Sequence, residues 1–346
     1  MPIQKNSQIR FTAATALLIG SLLWFWPGVF AQVAVDADDI GGVVRGTNGP
    51  EAGVWVIAET DAFDTLFRKI VVTDDDGRYV LPDMPSADYF VWVRGYGLRD
   101  SDPVRSRPGS TLDLQAVQAA DPREAAQVYP ANYWYSLIEV PPESEFPGTG
   151  GNGNGISPGM RTQANWIDGL KQGCQLCHQL GNLATREMAS LAEFETTEAA
   201  WVHRTRAGQR GGMMSGTLGR FGTDHVIEHY ADWTDRIMDG EVPPMPPRPQ
   251  GQERNIVLSM WEWGGPTGYI HDEVSTDKRD PSVNANGPIY GVGFASDTLV
   301  WIDPATNEGR DIKVPVRDEP GEGDFRSYID QSNLEPSMDW GDELIW

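Results

Sequence analysis

The only two cysteines in this 346-residue chain, Cys174 and Cys177, stand three positions apart, and His178 follows the second directly. That spacing limits how the chain can be held together. No disulfide can staple distant segments, so tertiary structure rests on buried apolar surface. The two thiols share a single turn of backbone, and the imidazole lies at its end.

Two thiols at this spacing with an adjoining histidine form the attachment pattern for a c-type haem. The thiols add to the two vinyl groups of the porphyrin. The next residue then lies beneath the ring, where a neutral imidazole binds iron. Cys174, Cys177 and His178 are therefore expected to hold one covalent haem c, with His178 as an iron ligand. A thioredoxin-type pair would sit at a strand-to-helix junction, whereas Gln163–Gly173 reads as a short helix with Trp166, Ile167 and Leu170 on one side. A zinc site needs four ligands, usually two such pairs, and no second pair exists.

The first 31 residues have the form of an export signal. Lys5 and Arg10 open it, Ala13 to Trp26 form an apolar core, Pro27-Gly28 breaks the helix, and Ala31 precedes a cut at Gln32. The alternative is an uncleaved anchor, because the apolar stretch approaches the roughly 20 residues that span a bilayer. Either way the body is expected in the periplasm or outside the cell, where haem is attached covalently in bacteria, and membrane association follows only if the leader stays. The formal charge is −23. Nucleic acid is excluded as a partner, because its phosphates would be repelled. An acidic surface suits steering toward a redox partner with a basic docking surface, and equally suits salty surroundings.

From Asp39 to Val117, short β-prone runs alternate with Gly, Pro and Asp turns. They include Gly42–Gly46, Val54–Ala58, Ile70–Thr73, Tyr79–Leu81, Tyr89–Val93 and Thr111–Leu114, and they predict a small antiparallel sandwich. Gly49-Pro50-Glu51-Ala52-Gly53-Val54-Trp55-Val56, Thr73–Pro82 and Tyr89–Gly97 resemble the carboxypeptidase regulatory-like domain. The resemblance implies a transthyretin-like sandwich of the carbohydrate-binding-like class. Trp55, Trp92 and Tyr96 could then stack on a glycan, although such aromatics more often pack in a core. The Asp74–Asp76 run reads as a solvated hairpin turn, since no Glu follows at EF-hand spacing.

Residues 118–159 read as a linker, with a helical turn at Asp121–Ala126, an aromatic run at Tyr129–Tyr135 that packs between domains, and a glycine-rich loop at Gly148–Gly155. Residues 160–265 are expected to form a mainly α haem domain. Helices are predicted over Leu191–Thr205, Asp224–Met238 and Gln252–Trp263 from apolar residues near period 3.6. With the Cys174–His178 motif ahead of them, this order resembles mono-haem cytochromes c.

A haem that only passes electrons fills both axial positions, and a thioether favours Fe(II). Met245, in the proline-rich Val242–Pro249, is the first candidate for the second iron ligand. Met214, with its neighbour Met213 in Gly211–Gly216, is the alternative, because glycines there let backbone approach a ring. Met238 and Met260 read as core. His203, His225 and His229 can also ligate. The last two stand at i, i+4 without an evident third metal partner.

In residues 266–346, Asp297–Glu308 and Ile312–Val316 predict one β-hairpin with an Asp-Pro turn. It resembles one blade of the virginiamycin B lyase-like propeller family, and one blade cannot close a propeller. The whole pattern predicts an all-β sandwich, a mainly α cytochrome c-like domain and a short β tail. The expected role is one-electron transfer, more a carrier than a catalyst. The alternatives are the redox domain of a periplasmic dehydrogenase or lyase-like enzyme, and a glycan- or partner-binding module.

Overall fold

The computed structural model describes residues 33–174, 180–206, 211–263, 270–293 and 298–315. The expected leader lies outside them. So do Cys177 and His178.

Strand Ile40–Gly46 pairs antiparallel with Arg78–Leu81 and Gly49–Pro50, and parallel with Ser110–Thr111 and Leu114–Gln115. A second, antiparallel sheet runs in the order Leu258–Trp261, Phe67–Val72, Trp55–Thr60, Tyr89–Arg94, Val104–Ser106. Period-two alternation turns one face of each sheet inward. Ile40, Val44, Tyr79 and Leu81 from the first meet Val56, Ala58, Phe67, Val71, Tyr89, Val91 and Val93 from the second in one core. Each such aliphatic or aromatic side chain contributes about 1.5–3 kcal/mol by leaving water.

The Asp74–Gly77 turn does not close a hairpin within one sheet. It carries the chain from the second sheet to the first, since Phe67–Val72 and Arg78–Leu81 pair with different strands. Asp74 Oδ1 accepts from the backbone N–H of Asp76 (2.9 Å) and Arg78 (2.8 Å). Gly77 takes φ +72°, a left-handed value that suits glycine.

Leu258–Trp261 departs from expectation. The apolar spacing predicts a helix over Gln252–Trp263, but Gly251–Asn255 is a short 3₁₀ turn and Leu258–Trp261 is an edge strand. Its partner is Phe67–Ile70, almost two hundred residues earlier, and Trp261 packs 5.6 Å from Phe67. Non-local pairing overrides a weak helical period. Met260 consequently lies in a strand.

The helices share a second core. Thr162 caps Gln163–Gly173, its Oγ1 accepting from Asn165 N–H at 3.2 Å. That helix buries Trp166, Gly169 and Leu170, while Thr223–Met238 buries Val226, Ile227, Tyr230, Trp233 and Ile237. Thr197–Arg204 matches part of the predicted Leu191–Thr205 helix, and a 3₁₀ turn at Ala189–Glu193 precedes it. Met238, expected in the core, is half exposed (50%).

The segment read as a linker contributes to this core. Its short helices Pro122–Ala126 and Ala131–Tyr135 bury Ala125, Ala126 and Trp134 there. Trp233 Nε1 donates to the Trp134 carbonyl at 2.9 Å, and Arg236 Nη2 to that of Leu137 at 2.7 Å. Tyr96 of the β region joins the aromatic run, with ring centroids 5.5 Å from Tyr129 and 4.9 Å from Trp55.

The tail forms more than a hairpin. Ile270–Val274, Ile289–Gly293, Thr298–Asp303 and Glu308–Lys313 make a four-stranded antiparallel sheet. Val300 and Ile302 are buried on one face. Trp261 Nε1 reaches Asn307 Oδ1 (2.8 Å) in its last turn. Among the described residues no helix is long and apolar enough to cross a membrane.

Candidate functional site

Cys174 caps the C-terminus of Gln163–Gly173, and its N–H donates to the Leu170 carbonyl at 2.8 Å. Trp166, Leu170 and Cys174 recur every four residues, so they lie along one side of the helix. The thiol is half-buried against the helical core, with Sγ 3.4 Å from the Tyr230 hydroxyl. Burial pushes this thiol's pKa up, against an opposing hydrogen bond from Tyr230. Tyr230 is fully enclosed, and burial, then Cys174, holds its phenol well above the usual range. Burial, with Cys174 adding, pushes Tyr135 up to about 12. Two tyrosines from different helices therefore face the one described cysteine. Nothing in the local sequence pattern pointed to either, since phenols at core spacing read simply as packing.

Gly173 brings a further element close. A Cβ there would lie 2.5 Å from Thr217 Cγ2. Thr217 belongs to helix Gly211–Leu218, which also carries Met213 and Met214. The glycine-rich stretch is thus helical. Met214 is one turn before Thr217 and partly exposed, and Met213 is 55% exposed.

Met245 lies elsewhere. It follows the Thr223–Met238 helix and is 60% exposed, with Sδ 3.4 Å from where a Gly97 Cβ would stand in the β region. Arg248 pins this proline-rich stretch to the same region, donating to the Tyr96 carbonyl (3.0 Å) and to Glu51 Oε2 (2.7 Å).

The histidines divide. His203 is exposed beside Phe194. His225 and His229 lie with ring centroids 4.8 Å apart, and His225 Nε2 meets Glu145 Oε2 at 2.7 Å. Burial, then His225, lowers the His229 pKa. Glu145 is a partner that spacing could not reveal. Even so, among the described residues the one group whose ligand atoms converge is the Asp36, Asp38, Asp39 cluster at the start of the β region.

Of the aromatic candidates for stacking on a sugar, Trp55 and Tyr96 are engaged with each other. Trp92 carries the Arg94 guanidinium 4.8 Å from its ring centre.

Of the cysteine motif the structure describes Cys174 alone, whose thiol chemistry and apolar surroundings are compatible with thioether attachment of a porphyrin. It offers a thiol at a helix end, set in an aromatic and aliphatic wall that includes Leu170, Trp201 and Tyr230. No family model matches the chain, and no curated protein matches it.

Proposed function

We propose that the chain is an exported c-type cytochrome that passes single electrons through one covalently bound haem. The observation that carries this reading is the Cys174 thiol, turned into an apolar aromatic wall at the head of Cys174-Gln175-Leu176-Cys177-His178. When bound, the haem supplies one-electron chemistry at its iron. Cys174 and Cys177 would hold it as thioethers, and His178 would bind the iron on one side. The wall on one side of Cys174 would limit the access of water, which weakens screening of charges there. The Tyr230 hydroxyl holds the sulfur side of the attachment in place.

As a second iron ligand, Met214 would be better placed than Met245. Helix Gly211–Leu218 packs Thr217 onto Gly173, and Met214 shares that helix face at i, i−3. Met245 is instead held on the β region beside Gly97. The β region fits a carboxypeptidase regulatory-like sandwich, with two sheets about one core. The tail sheet has the four strands of a propeller blade. The surplus of acidic residues favours a basic redox partner.

The test is the full chain made in a host competent for haem attachment. Denaturing-gel haem staining and a reduced-minus-oxidised spectrum should both be positive, and Cys174→Ala with Cys177→Ala should abolish the stain. In the oxidised protein, Met214→Ala should remove a far-red sulfur-to-iron band that Met245→Ala leaves in place. A colourless product would end the cytochrome reading. The reverse pattern of band loss would move the ligand to Met245.

A further inference from the structure

Arg186 is an arginine almost wholly out of water, 4% exposed, in a region where most charges are at the surface. It ends the short helix Leu183–Arg186, which begins a few residues after His178. Its guanidinium lies 4.4 Å from the centre of the Trp134 ring. Nη1 donates to the Gly181 carbonyl at 3.0 Å and Nη2 to Gln127 Oε1 at 3.3 Å. Glu187 is the nearby carboxylate, 3.8 Å from Nε.

Gly181 is itself tightly constrained. It takes φ +103°, and its N–H donates to Thr185 Oγ1 at 2.7 Å. A Cβ at this position would fall 2.1 Å from the Ala131 carbonyl oxygen and 2.7 Å from Tyr135 N. The chain at Gly181 is therefore pressed against helix Ala131–Tyr135, and Arg186 ties it down by stacking on Trp134 of that helix and donating to Gln127, the residue that caps Pro122–Ala126. Tyr135 belongs to the surroundings of Cys174 as well.

We propose that Arg186 is a positioning residue for haem ligation, fixing the backbone at Gly181, three residues beyond His178, through Trp134 and Gln127. The inference rests on the cytochrome reading. A guanidinium suits the task because its planar fork donates along two directions while its face stacks on an indole. Lysine keeps the charge but loses both the fork and the stack. With haem bound at the neighbouring motif, a buried cation would favour the reduced iron, and its loss would lower the potential.

The test compares full-length haem-loaded protein with Arg186→Lys, Arg186→Gln and Gln127→Ala. The last variant removes one acceptor and leaves the buried charge in place. Exchange of the Gly181 amide should rise at least tenfold in all three, whether or not haem is bound. In the loaded protein, Arg186→Gln should lower the equilibrium constant for reduction by about tenfold, which is about 59 mV for one electron, and should add a high-spin ferric signal. Arg186→Lys should show the high-spin signal with a smaller fall in potential. If Arg186→Gln does not fold, Gln127→Ala still has to raise Gly181 exchange and the high-spin fraction. Unchanged exchange, potential and spin state in the loaded variants would overturn the role of Arg186 and leave the cytochrome reading intact. A chain without covalent haem would overturn both.

Discussion

The residues around Cys174 make its chemistry depend on when it is buried. Its thiol pKa is raised by burial, so the nucleophilic thiolate is scarce in the folded site. The proposed attachment to a porphyrin vinyl group would then have to take place while this helix end is still open. The same enclosure gives a pH dependence. Tyr96 and Tyr135 are pushed up to about 12, chiefly by burial, whereas an unfolded phenol ionises near 10. Between those values the unfolded chain loses protons that the native chain keeps. Stability is thus intact below about pH 10 and declines as pH rises toward 12. His229 acts on the acid side. Its pKa is lowered, so stability falls as pH drops below the ordinary value of 6.5. Urea midpoints at pH 5, 8 and 11.5 should be highest at pH 8. Tyr135→Phe should make the alkaline arm shallower, the other buried phenols remaining, and His229→Gln should do the same for the acid arm. A midpoint independent of pH over this range would contradict the burial of these groups.

At the scale of elements, the contact between helices Gln163–Gly173 and Gly211–Leu218 depends on a missing methyl group. Gly173→Ala gains about 1 kcal/mol in helix propensity. The new Cβ meets Thr217 Cγ2 at 2.5 Å, and such overpacking costs about 1–3 kcal/mol. A net loss of stability is expected in denaturant melts of Gly173→Ala. Adding Thr217→Ser, which removes Cγ2, should restore it. Elements of this kind were unequally legible in the sequence. The β runs between Asp39 and Val117 alternate strongly and end at Gly, Pro or Asp, so their positions were readable. Thr223–Met238 has an unbroken apolar stripe and was readable to within a residue. Gln252–Trp263 was misread because its true partner, Phe67–Ile70, lies far away in the chain. The cysteine motif announced itself by spacing alone. Tyr230, Tyr135 and Arg186 did not, because their meaning comes from contacts across dozens of residues that no local period encodes.

For the whole molecule, strand Leu258–Trp261 completes a sheet begun before the helical region, and Arg248 and Arg254 add ion pairs to Glu51 and Asp75. The two cores are therefore expected to melt together, as one calorimetric transition with coincident near- and far-ultraviolet signals. Trp261→Ala, which empties the contact with Phe67 and the bond to Asn307, should cost about 2–3 kcal/mol, below the roughly 3–5 kcal/mol of a fully buried tryptophan because Trp261 is only partly buried. It should also separate the melt into two steps. Two steps in the unaltered protein would refute this coupling. The returning strand has another consequence. Since residues on both sides of the helical region are stitched into the β region, a haem held at Cys174, as proposed, would not be a swinging head on a leash. A protein exchanging electrons with it would have to travel to a fixed port, and encounter frequency, rather than any excursion of the haem, would set the pace.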